Sequence, residues 1–399
     1  MEQNKSIPVK SAIPSGPASI RIKQLSMSAW ASMSLYAWAV AIGGAVLPQL
    51  AVTFKMSNSL SGFFLAIPSI GFTLAGLTGG WLSEQIGLQR LLALSAVSLT
   101  ISLGLGSIAP VVTVILLAAM LIGFSGGFLE VGSNGLIASL YHDKASSQLN
   151  LLHMFYAGGA IISPLCVGFF IANTFSWRAN YILAAGLVLI LVFVLYRLPH
   201  TQDVEVSHIN VSEMLHLLTR PTVLRAWFAI IFFTSAELGL STWLVTYFQK
   251  VKGFPPVIAS ASLSVFWIAI LAGRAVNFRL PGTLSLTAVI RLEILGSIVS
   301  VFIILLGRYP LLIYMGTFLD GLFMAGLFPN LMAYASHNSS DSIGSISGIT
   351  LFGAGIGMTL GPGVIGLLAD WGGLGSAPYL PIFMLVIVEA VFLFKIPNR

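Results

Sequence analysis

The chain has 399 residues, of which 57% are hydrophobic and 8% charged, with a mean hydropathy of +0.94. Soluble domains carry roughly 25% charged residues, so this composition excludes a soluble globular protein and points to repeated membrane crossing. The formal net charge of +6 does not mark a nucleic-acid binder, because the basic residues are spread along the loops rather than gathered in one patch.

In chain order, residues 1–23 are polar, proline-bearing and basic, and read as a flexible cytoplasmic tail. Apolar runs then recur near 25–49, 58–82, 89–108, 111–141, 147–172, 177–197, 223–248, 256–278, 285–306, 310–336, 343–369 and 377–396. Each is long enough for the roughly 20 helical residues that cross about 30 Å of hydrocarbon, and none alternates as a barrel strand does. The expected fold is therefore all-α and polytopic, with twelve transmembrane helices. The first run continues past signal-peptide length and leads straight into further spans, so it reads as retained. With the N-terminus inside, of all the basic residues only Lys55, Arg178, Lys250, Lys252 and Arg308 fall outside, which satisfies the positive-inside rule with both termini cytoplasmic. Cys166 is alone and lies in span 5, so no intrachain disulfide is expected.

Span 1 carries Trp38, and the turn after span 2 reads Gly80-Trp-Leu-Ser-Glu84-Gln-Ile-Gly87-Leu-Gln-Arg90. There Gly80 would let helices approach, Gly87 would make a tight turn, and the Glu84 carboxylate could meet a helix N-terminus. Glu130 in span 4 is the only charged residue between Arg90 and His142. A carboxylate at the centre of a membrane helix costs roughly 2.5–3.5 kcal/mol on insertion scales, so it is expected to face a polar cavity or carry a proton. Asn134 lies four residues on, on the same face, where amide and carboxylate could both hydrogen-bond a polyol. In span 5, Asn150 and His153 share a face; the imidazole could titrate, or the pair could satisfy buried backbone.

The stretch 200–220 is the longest charged segment and divides the chain into six spans and six. The expected organisation is a tail (1–23), a first six-helix bundle (24–198), a central cytoplasmic loop (199–221) and a second bundle (222–399). Span 7 carries Glu237 at its middle with Ser241 one turn on, and Arg274 ends span 8, where it could snorkel or pair with a carboxylate. Trp38, Trp243 and Trp267 sit inside spans rather than at the interfacial belts; they could be platforms for sugar rings or core packing. Asp320 lies deep in span 10, with even standing as a pathway residue, and Glu389 near the end of span 12 is expected to reach the interface. Gly353, Gly357 and Gly361 form a small-residue stripe on span 11, and Pro164, Pro329 and Pro362 could kink spans 5, 10 and 11. No Walker loop, H-E-x-x-H or paired cysteines occur, so neither an enzyme, a cofactor nor a metal site is expected.

The halves echo one another at an offset near 198: Leu74-Ala75-Gly76 returns as Leu271-Ala272-Gly273, and Gly159, Pro164 and Gly168 return as Gly357, Pro362 and Gly366. Six spans return the chain to the same side, so the repeat is parallel, the arrangement of major facilitator halves with a midplane site between them. The Gly80–Arg90 turn resembles the major facilitator loop pattern G-x-L-x-D-x-x-G-x-[RK]-[RK], with Glu84 in place of the aspartate and Arg90 as the remaining base; the resemblance implies a conformational latch. Trp38 with Leu47-Pro48-Gln49, GGFLEVGSN, LNLLHMFYAGGAI, AELGLSTWLVTYF, Gly273-Arg274 and GTFLDGLFMAGLFP resemble the fucose–galactose–glucose/proton symporter family. That resemblance implies uptake of a sugar with a proton, with Glu130 taking part in both and Glu237 binding substrate. Gly43-Gly44-Ala45 stands where the fucose symporter has an acidic residue, which removes the expectation of fucose specificity. The expected partners are a small molecule, a proton and the bilayer of the inner membrane, for a monomer. Export of a drug or amphipathic metabolite is the second reading, on the partial match of Gly159 to Gly168 to an exporter motif, and a non-transporting receptor the third.

Overall fold

In a computed structural model, the described residues are 17–141, 144–198, 216–277, 284–336 and 343–393. The N-terminal sixteen residues, most of the central loop, and the basic residues Arg279, Lys395 and Arg399 lie outside them. The first six helices are α1 (Pro17–Thr53), α2 (Asn58–Ile86), α3 (Leu88–Ile108), α4 (Val112–Leu140), α5 (Ala145–Ala172) and α6 (Arg178–Arg197). The second set comprises α7 (Pro221–Lys250), α8 (Pro256–Asn277), α9 (Leu286–Leu306), α10 (Pro310–Met324), α11 (Leu327–Ser336), α12 (Ile343–Gly372) and α13 (Tyr379–Leu393). Among the described residues, twelve spans are long and apolar enough to cross a bilayer, with α10 and α11 together forming the tenth.

The ends of these helices follow from local chemistry. Ser57 and Ser285 cap α2 and α9, their hydroxyls accepting from the Leu60 and Ala288 amides at 3.1 and 3.3 Å. Proline opens α7 and α10, where its missing N–H costs nothing. The tail expected through residue 23 is already helical from Pro17. Of the three prolines expected to kink spans, Pro329 does so. It cannot donate to the Ala325 carbonyl, and the tenth span breaks into a turn at 325–326. Pro164 and Pro362 stay inside continuous helices. The Met358 carbonyl that Pro362 leaves without its helical donor lies 3.4 Å from the Ser69 hydroxyl of α2, which donates to it.

The sequence repeat reappears as a packing register. In the first six spans, a Cβ on Gly123 of α4 would strike the Pro68 carbonyl of α2; in the second, a Cβ on Gly321 of α10 would strike the Phe266 carbonyl of α8. Both members of the second pair lie 198 residues beyond those of the first. Likewise Gly159 of α5 seats on the backbone of Ser34 in α1, and Gly357 of α12 on that of Ile231 in α7. The glycine stripe of α12 runs along α7, with Gly353 at Trp227, Gly357 at Ile231 and Thr234, and Gly361 at Ser235. Small residues let the backbones approach closely enough for the Thr234 and Ser235 hydroxyls to donate to the Ala354 and Gly357 carbonyls at 3.2 and 3.1 Å.

With twelve spans among the described residues, the start of α1 and the end of α13 lie at one end of the bundle; the opposite, distal end carries the turns at 54–57, 173–177, 251–255 and 373–378. The two sets of helices meet from the distal end to mid-height. The Asp370 carboxylate of α12 accepts from the Asn58 and Ser59 amides, each at 2.9 Å, and from the Ser59 hydroxyl at the start of α2. Below it Gly62 and Gly366 face each other across α2 and α12, and Gly44 of α1 lies against Thr242 of α7. Between α5 and α8, Gly168 meets Ser260, and the Ser264 hydroxyl donates to the Ile161 carbonyl at 2.7 Å. Farther from this end, Gly76 and Gly80 of α2 and Gly158 of α5 face open space. The closure is thus at the distal end.

Aromatic side chains mark both ends of the apolar belt: Trp371 and Tyr379 are exposed at the distal end, Trp81 and Tyr196 at the other.

Candidate functional site

The site is built at mid-height, under the distal closure. Glu130 and Asn134 are one turn apart on α4 and both half-buried, and the carboxylate meets the Asn134 side chain. Gly126, a turn earlier, has no side chain because the Tyr36 ring of α1 occupies that space. Tyr36 therefore lies flat on α4, within electrostatic reach of Glu130. It stacks on Phe72 of α2 at 6.3 Å and meets the edge of Tyr156 of α5 at 5.9 Å. Tyr156 in turn touches Trp267 of α8, again at 5.9 Å. A row of rings thus crosses from the first six spans to the second.

Glu237 on α7 and Arg274 on α8 stand on the opposite wall. Arg274 is exposed and within electrostatic reach of Glu237, Tyr156 and His153, so the guanidinium expected either to snorkel or to pair is directed toward the carboxylate wall. Tyr156 is within the fields of Glu130, Glu237 and Arg274 together, which puts its hydroxyl between the two sets of helices. The Asn134 amide oxygen is buried without a protein partner, as is the Trp38 indole nitrogen on α1. Buried polar atoms are normally hydrogen-bonded, so both are suited to a hydroxylated solute. The donor set is one of carboxylates, amides, hydroxyls, a guanidinium and aromatic faces, and among the described residues no group of three His, Cys, Asp or Glu could hold a metal.

Other residues singled out in the sequence fall at varying distances from this centre. Trp267 belongs to it. His153 is half-buried one turn below Tyr156, and Asn150 is exposed nearer the end that bears the chain termini. Trp243 and Asp320, expected to meet the substrate, offer it no surface. Trp243 is 2% exposed with its indole donating to the Pro362 carbonyl at 3.0 Å, and Asp320 is 0% exposed against Ser297 of α9. Glu389, expected at the interface, is buried and accepts from Arg291 at 2.7 Å. In the turn after α2, Gly87 has φ 85° and its amide donates to the Ser83 carbonyl at 2.8 Å, a conformation that favours glycine. Gly80 makes no close helix contact; its neighbour Gly79 does, against Phe128 and Val131. Glu84 is half-buried and Arg90 exposed. Sequence reasoning did not single out Tyr36, Tyr156 or Glu293. A tyrosine one turn from His153 was the available signal.

Twelve spans in two sets that enclose a polar centre at mid-height define a polytopic membrane transporter, not an enzyme. The chain belongs to the Major Facilitator Superfamily, whose family model matches residues 29–292. Among curated proteins it is 22% identical over 381 residues to the human sodium-dependent glucose transporter 1, covering 86% of this chain and 72% of that one. Among solved structures, it shares its fold with a bacterial homolog of the human lysosomal transporter Spinster in an inward-facing, unoccupied conformation (TM-score 0.80, 13% identity, covering 95% and 97% of the two chains). It also shares it with a D-xylose-proton symporter (TM-score 0.76, 16% identity, 94% and 98% covered).

Proposed function

We propose that this protein takes up a sugar or related polar small molecule together with a proton, by alternating access in the inner membrane, with both termini cytoplasmic. The observation that carries the reading is the placement of Glu130 and Glu237 on opposite walls of one polar centre, bridged by Tyr156. A solute held between them would contact both sets of helices, so its binding would bias their relative arrangement. Aromatic faces of Tyr156 and Trp267 suit the apolar faces of a sugar ring, while Asn134, Glu237 and the Trp38 indole would serve its hydroxyls. Asn150 and His153 line the approach from the cytoplasmic side. Glu130 is the coupling group: its carboxyl is accessible from the polar centre and its neutral form is the cheaper one to move through the closed state. The turn from Gly80 through Glu84 and Gly87 to Arg90 would act as the conformational latch on that side. The names of the relatives, a glucose transporter and a xylose–proton symporter, agree with a sugar as cargo.

The test is uptake into proteoliposomes with D-glucose and D-xylose as probes, under an imposed pH gradient, an imposed sodium gradient, or neither. Accumulation of either sugar driven by the pH gradient is the expected result. Accumulation driven by sodium alone overturns the coupling ion, and failure of both sugars to accumulate under any gradient overturns the cargo.

A further inference from the structure

The distal closure consists of two arms that the sequence repeat makes equivalent. One joins α2 to α12, where Gly62 lies against Gly366; the other joins α5 to α8, where Gly168 lies against Ser260. Gly62 and Ser260 hold the same place in the two halves, as do Gly168 and Gly366, so an exact repeat would fasten both arms equally. The side chains around them do not.

On the α2–α12 arm, hydrogen bonds run from the distal turn toward mid-height. Asp370 accepts from the Asn58 and Ser59 amides, each at 2.9 Å, and from the Ser59 hydroxyl. The Asn58 side chain donates to the Ala369 carbonyl at 3.3 Å, and the Ser69 hydroxyl to the Met358 carbonyl at 3.4 Å. Across α5 and α8 the repeat supplies no equivalents. Ala172 stands in the place of Asp370 and has no side-chain acceptor, while Pro256 stands in the place of Asn58 and has no amide hydrogen. Trp267 takes the place of Ser69, and its ring meets that of Tyr156 at 5.9 Å. Among the described residues, the α5–α8 arm is tied by one hydrogen bond, from the Ser264 hydroxyl to the Ile161 carbonyl at 2.7 Å. It also carries a penalty: Ser260 is 0% exposed and its hydroxyl has no protein partner, so closing this arm leaves a polar group unpaired.

We infer that the distal closure parts in a fixed order, α5 from α8 first and α2 from α12 last, with Asp370 as the pin that holds the second arm. A single net hydrogen bond shifts such an equilibrium by about fivefold, and parting α5 from α8 also returns the Ser260 hydroxyl to water. The half-open state has its gap beside Tyr156 and Trp267, the rings that the transport reading assigns to the solute. The arm that yields first is thus the one a bound solute would touch. The order of parting goes beyond that reading and depends on neither the cargo nor the coupling ion, so failure of either leaves it standing.

The test is the distance distribution of two spin-label pairs in lipid nanodiscs, in a background with Cys166→Ala. All four label positions are exposed: Asn173 with Pro255 across α5 and α8, and Lys55 with Trp371 across α2 and α12. In wild type, the fraction of long distances at 173–255 should equal or exceed that at 55–371. Ser264→Ala removes the tie of the weaker arm and should raise the long fraction at 173–255 about fivefold, leaving 55–371 unaltered. Asp370→Ala should add long distances at 55–371, and never more of them than at 173–255. Equal fractions at the two pairs in Ser264→Ala, a larger fraction at 55–371 in any preparation, or a 173–255 distribution in Ser264→Ala that matches wild type would each overturn the order.

Discussion

Two acidic residues that the sequence already isolates carry the sharpest expectations. Glu130→Gln imitates the neutral carboxyl, so proteoliposomes of that variant should exchange labelled substrate at a measurable rate yet fail to concentrate it against a gradient. Exchange returns the carrier loaded and needs no net proton release; retained uphill uptake with intact alkalinisation of the medium would clear Glu130 of the coupling role. Glu237→Ala removes hydrogen-bond acceptors from the opposite wall and should reduce the thermal shift produced by whichever probe sugar stabilises the wild type. An unchanged shift would place the substrate elsewhere. Both carboxylates were legible because charge is so rare in these spans. Tyr36 and Tyr156 were not, since a phenol within an apolar run looks like any other large side chain until helices α1, α4 and α5 bring the hydroxyls to the carboxylates.

Helices were legible by length and apolarity, and all twelve spans stand where the sequence put them, to within a turn or so at most ends. Their interruptions were less so. The break after Met324 depends on Pro329 withholding one amide, whereas Pro362 in α12 leaves a carbonyl that a serine of another helix recovers, and nothing local tells the two cases apart. Glycine is the clearest element-scale signal: the α12 stripe identified by its fourfold spacing is the surface that meets α7. Gly357→Leu would drive a side chain into the Ile231 backbone. Overpacking typically costs about 1–3 kcal/mol, and here the obstacle is main chain that cannot rotate away. The variant should show a lower melting temperature in detergent and reduced uptake, while a substitution at Gly76, which faces open space, should be tolerated. Equal stability of the Gly357 variant and wild type would mean that α12 can shift along α7 without loss.

At the scale of the molecule, the two sets of helices touch through a narrow seam whose outermost member is Asp370 on the first amides of α2. Opening the distal end must break that contact, so Asp370→Ala should shift the population toward distal-open states. Spin labels placed on the distal turns should report longer mean separations in the variant, and an unaltered distribution would show that the glycine contacts below suffice. The composition of this seam also bears on temperature. Its polar and glycine contacts are set in one apolar core that runs through both sets of helices, so parting it also wets hydrocarbon, and wetting hydrocarbon is what gives a conformational change a large heat capacity. The equilibrium between the two ends being open should therefore follow a curved van 't Hoff line. A carrier sealed in this way should drift open at the distal end in the cold, as hydrophobic adhesion weakens.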